Sequence, residues 1–325
     1  MSGRVMARSG PPEERPSRQI NIVLRNSEPP VVSQSVPDSE AHATTAKLMP
    51  QNSLFADLQK ELDGLVGLDH IKELMYEIFA LLQIASMRSE AGLLSGAQVF
   101  HMVFKGNPGT GKTTVARLVA KFFQKMGVLS KGHLIEVERA DLVGEYIGHT
   151  AQKTRDLVKK AMGGILFVDE AYSLARGGEK DFGKEAIDTL VKSMEDSKNQ
   201  FILILAGYCD EMDFFLDTNP GLPSRFPIVM EFPDYTIDQL IQIAEGMAKE
   251  RDYILMPQTI VKLKQHLLRE KMEGEHVFSN ARHVRNVIER SIRHQAVRIL
   301  NQFSGGSPGK LELMTIRPED LKVDK

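Results

Sequence analysis

The run Gly106-Asn107-Pro108-Gly109-Thr110-Gly111-Lys112-Thr113-Thr114 fits the pattern G-x-x-x-x-G-K-[ST] and constrains this chain more than any other feature. The apolar run Val99–Phe104 precedes it, and the helical pattern Val115, Leu118, Val119, Phe122, Phe123 follows it. Strand, glycine-rich turn and helix in that order form a phosphate cradle. The glycines let the backbone fold round phosphate oxygens, and the amides at the helix start point at them. A chance match in 325 residues is about a one-in-a-hundred event from average residue frequencies. The pattern therefore predicts a nucleotide, with Lys112 reaching the β and γ phosphates and the Thr113 hydroxyl on Mg²⁺. A ligand-free glycine turn is the alternative.

A second signal supports the first. Ile165-Leu166-Phe167-Val168 is an apolar strand that ends in Asp169-Glu170. At the carboxyl end of a parallel strand, Asp169 faces the crevice where nucleotide phosphates lie, and it can hold Mg²⁺. Glu170, one residue on, can orient and deprotonate an attacking water. Alone, such an acidic strand end is more often merely solvated. Together with the phosphate loop it reads as hydrolytic machinery.

Five strand candidates lie between residues 99 and 232: Val99–Phe104, Leu134–Val137, Gly164–Val168, Phe201–Ala206 and Ile228–Phe232. Helical patterns separate them. Their near-continuous apolar character predicts a five-stranded parallel α/β sheet covered on both faces. Ahead of it, Ile71, Leu74, Met75, Ile78, Phe79 and Leu82 form one face of an amphipathic helix, with Asp69 as the expected N-cap. After Pro233 helices take over. Thr236-Ile237-Asp238-Gln239 has the capping-box form, a second helix starts near Pro257, and a third starts near Asn280. The third is expected to bury Val284, Val287, Ile288, Ile292, Ala296 and Ile299, and Met314-Thr315-Ile316 to close the unit with a short strand.

The expected organisation is a mostly disordered extension at 1–52, an α/β domain at 53–233, a small helical lid at 234–316 and a tail at 317–325. Residues 1–50 hold seven of the 15 prolines, too little apolar surface to offset ordering entropy. Gln19–Leu24 alternates weakly as a strand would. A net charge of −2 disfavours nucleic acid as a whole-chain partner. The single cysteine, Cys209, excludes an intrachain disulfide and a Cys-based zinc site, and it is expected to be small packing rather than a nucleophile. The nine histidines show no metal-ligand spacing. No apolar run reaches a membrane span, and the N-terminus lacks a signal-peptide core, so a cytoplasmic location is expected.

Over about residues 55–303 the chain resembles an AAA+ ATPase. The runs GNPGTGKTTVARL, ERADLVGEYIGHTAQKTRDLVKKAMGGILFVDEAYSLARG, ILAGY, NPGLPSRF, EFPDY and FSNARHVRNVIERSIRHQA resemble the CbxX/CfxQ family. That family includes red-type rubisco activases and sporulation proteins, and the run at 129–191 looks most like the sporulation members. The resemblance implies an ATPase that binds ATP and Mg²⁺ and assembles as a homo-oligomer, most simply a hexamer, acting on a protein client. It implies that Arg225, in the NPGLPSRF run, is an arginine finger offered to a neighbouring subunit, an ordinary surface arginine being the alternative. Arg282 would touch the γ-phosphate in cis as sensor 2, with Arg285 as its rival. Leu65-Val66-Gly67-Leu68 would wrap the adenine. Tyr146-Ile147-Gly148 would be a pore loop gripping an extended peptide, with Gly177–Asp181 as a second. Strand four departs from the family pattern: Ala206-Gly207-Tyr208-Cys209 stands where a Thr or Asn is usual, so Tyr208 either hydrogen-bonds the lytic water or only packs. Rubisco activation, a nucleotide-switched scaffold and a DNA-acting motor are the competing readings.

Overall fold

The computed structural model describes residues 59–322 except 95, 97, 147, 178–180, 220, 274–277 and 304–305. The extension expected to be disordered, and the weak strand expected at Gln19–Leu24, lie outside the described residues.

Five parallel strands build the main sheet in the order β2-β3-β4-β1-β5: β1 (Met102–Gly106), β2 (Leu134–Val137), β3 (Ile165–Val168), β4 (Ile202–Gly207) and β5 (Ile228–Phe232). The inner strands are apolar at successive positions because each face meets its own core. Phe104, Phe167 and Ile204 point into one core, with α1 (Asp69–Glu90) and α2 (Lys112–Lys125). Val103, Leu166, Val168, Leu203 and Leu205 point into the other, with α4 (His149–Ala161), α5 (Gly183–Asp196) and α6 (Cys209–Thr218). Between β2 and α4 lies one short helical turn, α3 (Arg139–Leu142).

Two sequence expectations shift here. Strand β1 starts at Met102 rather than Val99 and runs to Gly106, since Gly106 still pairs with Phe232 of β5. Leu68, not Asp69, occupies the N-cap of α1. Leu68 takes a left-handed backbone with its side chain buried, and Asp69 becomes the first helical residue, within reach of Lys72 at 3.5 Å. Apolar burial of Leu68 decides that boundary rather than side-chain capping.

The lid comprises α7 (Ile237–Lys249), α8 (Pro257–Glu273), α9 (Asn280–Gln302) and α10 (Lys310–Met314). Both bonds of the capping box form at Thr236 and Gln239. Strands β6 (Ile254–Leu255) and β7 (Thr315–Ile316) pair in parallel, so the short strand expected at 314–316 finds a partner that the sequence did not suggest. On α9, Gln295 is buried and Ala296 is exposed, reversing the expectation for Ala296. The Gln295 amide donates to the carbonyl of Leu313 at 2.7 Å, and that bond makes its burial tolerable. Residues placed in a C-terminal tail contribute Asp320 and Leu321, both buried. Arg298 of α9 binds the Asp320 carboxylate at 2.8 and 3.0 Å. Lid residues Leu240, Ala244, Val284 and Ile288 share one continuous core with Phe104 and Val115.

His101, at the foot of β1, is a buried ring between Phe201 and Phe226. Its Nδ1 accepts from the Leu203 amide at 3.0 Å, so the proton sits on Nε2. Burial lowers its pKa to about 4. The neutral ring therefore supports the fold fully above its ordinary pKa of 6.5, and this contribution is lost as pH falls from there towards 4. Comparing urea unfolding of the wild type with that of His101→Gln should show the difference shrinking by up to about 3 kcal/mol between pH 7.5 and pH 4. A difference that is flat with pH would contradict a buried neutral imidazole.

Candidate nucleotide site

The loop after β1, the acids after β3 and the end of β4 open on one cleft. Pro108, Gly109, Gly111, Lys112, Thr113, Thr114, Asp169, Glu170, Tyr172, Gly207, Tyr208, Ala281, Arg282 and Arg285 line it. The cleft offers about 190 Å³ of free space, below the range of roughly 300–1,000 Å³ typical of small-molecule sites. Sequence-predicted residues from four separated segments thus meet in one place.

The loop is shaped by its own hydrogen bonds. Lys112 Nζ donates to the carbonyls of Gly106 (2.6 Å) and Asn107 (2.8 Å). Burial pulls the Lys112 pKa below its usual value, while the Asp169 carboxylate pushes the other way. Thr110, fully buried, donates to Asn107 O at 2.8 Å. Gly109 has φ +71°, and a Cβ there would lie 2.3 Å from the Ser279 carbonyl and 2.7 Å from the Arg282 amide. Only glycine allows the loop to touch the start of α9 so closely. The contact is sealed by the Ala281 amide, which donates to Gly109 O at 3.1 Å.

Asp169 is half-buried, and its Oδ1 accepts from the Glu170 amide at 3.0 Å. Glu170 is exposed to the cleft with a left-handed backbone, φ 47° and ψ 45°. Tyr208 lines the cleft and also stacks on Tyr172, with centroids 5.8 Å apart and planes at 28°. Burial, with the nearby Glu170 charge, raises the Tyr172 hydroxyl to about 12, so it stays a donor at any physiological pH. Cys209 begins α6 and is exposed, not the partly buried packing residue expected.

Other predicted residues lie elsewhere. Val66 and Gly67 do not line the cleft. Gly67 packs on the Gln239 side chain, and it is Leu68 that approaches Gly111. Arg225 is outside the cleft too, donating to Gly221 O at 2.8 Å and to Glu195 through Nε (3.2 Å) and Nη2. Tyr146 is 65% exposed, with its ring edge-on to His149. Gly148 caps α4 with φ 82°. Ile147 lies outside the described residues.

Sequence reasoning missed the residues that join loop to lid. Asn280, completely buried with φ 44°, accepts from the Tyr235 amide at 3.0 Å through Oδ1. Its Nδ2 donates to Asp234 Oδ1 at 2.8 Å, and Asn107 donates to the same oxygen at 2.9 Å. Tyr235 OH donates to Thr110 O at 3.0 Å. The only available signal was a polar residue of left-handed preference at a helix start, in Phe278-Ser279-Asn280-Ala281.

Asn280→Ala should lower unfolding stability by about 2–4 kcal/mol. It strands the Tyr235 amide, removes a donor from Asp234 and places alanine at positive φ. Chemical denaturation checks this, and a loss under 1 kcal/mol would mean that the network is incidental.

Comparisons with known proteins fit this architecture. Residues 102–234 match the model of the ATPase family associated with various cellular activities (AAA), and residues 236–325 match the AAA lid domain. Stage V sporulation protein K of Bacillus subtilis is 56% identical over 94% of this chain and 94% of its own. Protein CfxQ of Xanthobacter flavus is 44% identical over 82% of this chain and 83% of its own. The chloroplastic ribulose bisphosphate carboxylase/oxygenase activase of Cyanidioschyzon merolae is 46% identical over 82% of this chain and 89% of its own. A mutant RuvB from Thermotoga maritima, 19% identical, shares the fold with a TM-score of 0.51 over 80% of this chain and 70% of that one. With its α/β domain, its lid and relatives of this closeness, the chain belongs to the AAA ATPases, in the group of the CbxX and CfxQ proteins.

Proposed function

We propose that this chain is an ATP-hydrolysing remodeller, working as a homo-oligomeric ring, most simply a hexamer, on a protein client. One observation carries the reading: Lys112, Thr113, Asp169, Glu170 and Arg282, from three separated segments, face a single cleft. The amides and side chains of Gly106–Thr114 would hold the triphosphate. Lys112 would leave its loop carbonyls for the β and γ phosphates. Thr113 and Asp169 are the side chains that would hold Mg²⁺, which neutralises phosphate charge when bound. Glu170 would take a proton from the attacking water. Arg282, or Arg285 at i+3, would contact the γ-phosphate from the lid. Val66 and Gly67 would meet the adenine beyond the lined cleft.

Arg225 sits outside its own cleft, which suits a group offered to a neighbouring subunit. Tyr146 is exposed on the segment leading into α4, as a client-gripping side chain must be. Ile147 and Gly148 would flank it. The work would take place in the cytoplasm, where ATP is plentiful. No helix among the described residues is long and apolar enough to cross a membrane. Similarity to a sporulation protein over nearly the whole chain supports a role in spore maturation. A rubisco-activating role is the second reading, supported by the similarity to an activase.

The test is ATPase rate against protein concentration. Glu170→Gln should lower the rate at least about 100-fold, and Arg225→Ala about 1,000-fold. An equimolar mixture should recover part of the activity, because one variant keeps Glu170 and the other keeps Arg225. Concentration-independent hydrolysis that tolerates Arg225→Ala would overturn the ring.

A further inference from the structure

Arg139 occupies a position that nucleotide chemistry alone does not explain. It is the first residue of α3, separated from the end of β2 by Glu138 alone, seven positions before Tyr146. Its Nη1 donates to the Ser173 carbonyl at 2.7 Å. Ser173 lies in the turn Ala171–Ala175, which begins immediately after Glu170. Its Nη2 donates to both oxygens of Asp181, at 2.6 and 2.7 Å. Asp181 also accepts from the Gly183 amide at 2.8 Å, which anchors it to the start of α5. One guanidinium therefore ties the start of α3 to two points 34 and 42 residues further along the chain.

The fit around the clasp is close. A Cβ on Gly177 would lie 1.2 Å from Asp181 Oδ2 and 2.1 Å from Asp181 Cβ. Any side chain at 177 must displace Asp181 itself. Side-chain exposures of 32% for Arg139 and 16% for Asp181 leave the pair only partly screened by water. It is thus worth more than an ordinary surface pair. A second cleft runs beside the clasp. It is lined by Glu138, Arg139, Gly144 and Glu145 on one side and by Asp169, Glu170 and Ser173 on the other. The wall that carries the acids and the wall that leads to Tyr146 are separated by this space. Arg139 is the side chain that bridges it.

We infer that Arg139 is the positioning residue that transmits nucleotide state from the turn after Glu170 to the segment carrying Tyr146 and, through Asp181, to the start of α5. This rests on the remodeller reading above. A shift of the turn on ATP binding moves the Ser173 carbonyl, the planar guanidinium follows, and α3 and Asp181 move with it. A lysine cannot replace it fully, because a single ammonium lacks the fork that serves Ser173 and Asp181 together.

Hydrogen exchange of the full chain, with ADP or a non-hydrolysable ATP analogue, tests this. Affinity for a fluorescent ATP analogue is measured in parallel. In the wild type, the analogue should slow exchange of the 141–146 and 183–186 amides at least about threefold relative to ADP. Arg139→Ala and Gly177→Ala should abolish that difference while nucleotide affinity stays within about twofold. Arg139→Lys should retain part of it. If Arg139→Ala fails to fold, Gly177→Ala and Asp181→Asn give the same readout with the arginine in place. A nucleotide effect of wild-type size in the folded variants would overturn the inference, as would its absence from a wild type that binds nucleotide. A wild type that binds no nucleotide would instead overturn the ATPase reading itself.

Discussion

Asn280 holds the phosphate loop and the lid in one arrangement. Its amide sits where β5 ends, where the lid begins and where the loop turns, and it bonds the Tyr235 amide and Asp234. Because Asp234 also accepts from Asn107, loop and lid share an acceptor oxygen. Hydrogen bonds to a carboxylate are about twice as strong as neutral ones. A lid rotation that broke them would also disturb the glycine-rich loop that lines the cleft. The Gly109 contact with Ser279 and Arg282 adds a steric reason for the same coupling. Lid position and loop geometry are therefore one variable. The continuous core running from Phe104 through Leu240 to Ile288 gives it stiffness.

Strand order sets the rest of the site. Strand β4 lies between β1 and β3, so the acids at 169 and 170 stand two strands from the loop. At the usual spacing that is about 10 Å, room for a phosphate and a hydrated cation between Lys112 and Asp169. The end of β4 floors the gap with Gly207 and Tyr208, both of which line the cleft. A neighbouring β1 and β3 would have pressed the lysine against the carboxylates and closed it. The arrangement needs parallel strands, whose carboxyl ends all open on one side, and that in turn needs covering helices on both faces.

What was legible in the sequence was whatever periodicity or local pattern encodes. The five strands, the apolar face of α1 at Ile71, Met75, Ile78 and Phe79, and the capping box at Thr236 follow from burial and local hydrogen bonding. The meeting of the glycine-rich loop and the acids after β3 in one cleft was legible because each is a local pattern at the end of a parallel strand. Misread features depend on tertiary partners. Gln295 is buried because carbonyls near Leu313 receive its amide, which a count of apolar positions on α9 cannot foresee. The Asn107–Asp234–Asn280 node and the Arg139 clasp join residues from 34 to 127 positions apart. In sequence each of these looks like an ordinary polar residue at the end of an element. The two-residue pairing of β6 with β7 is too short to leave a period.

Backbone strain points to the same place. Among the described residues, five non-glycine residues have positive φ: Leu68, Glu170, Asn199, Asp252 and Asn280. Asn and Asp tolerate that conformation, so Asn199, Asp252 and Asn280 need no special account. Leu68 and Glu170 do not tolerate it, and each costs about 1–3 kcal/mol. Leu68 is held by burial behind Gly111. Glu170 is held by its neighbours. Ala171 and Tyr172 are buried immediately after it, its carbonyl accepts from the Ser173 amide at 2.8 Å, and its own amide is bound by Asp169. Glycine would sit at position 170 with less strain, but glycine has no carboxylate. A glutamate maintained in a conformation that suits glycine, with its side chain open to the cleft, fits the role proposed for that carboxylate. Packing cannot supply the reason, because the side chain is exposed.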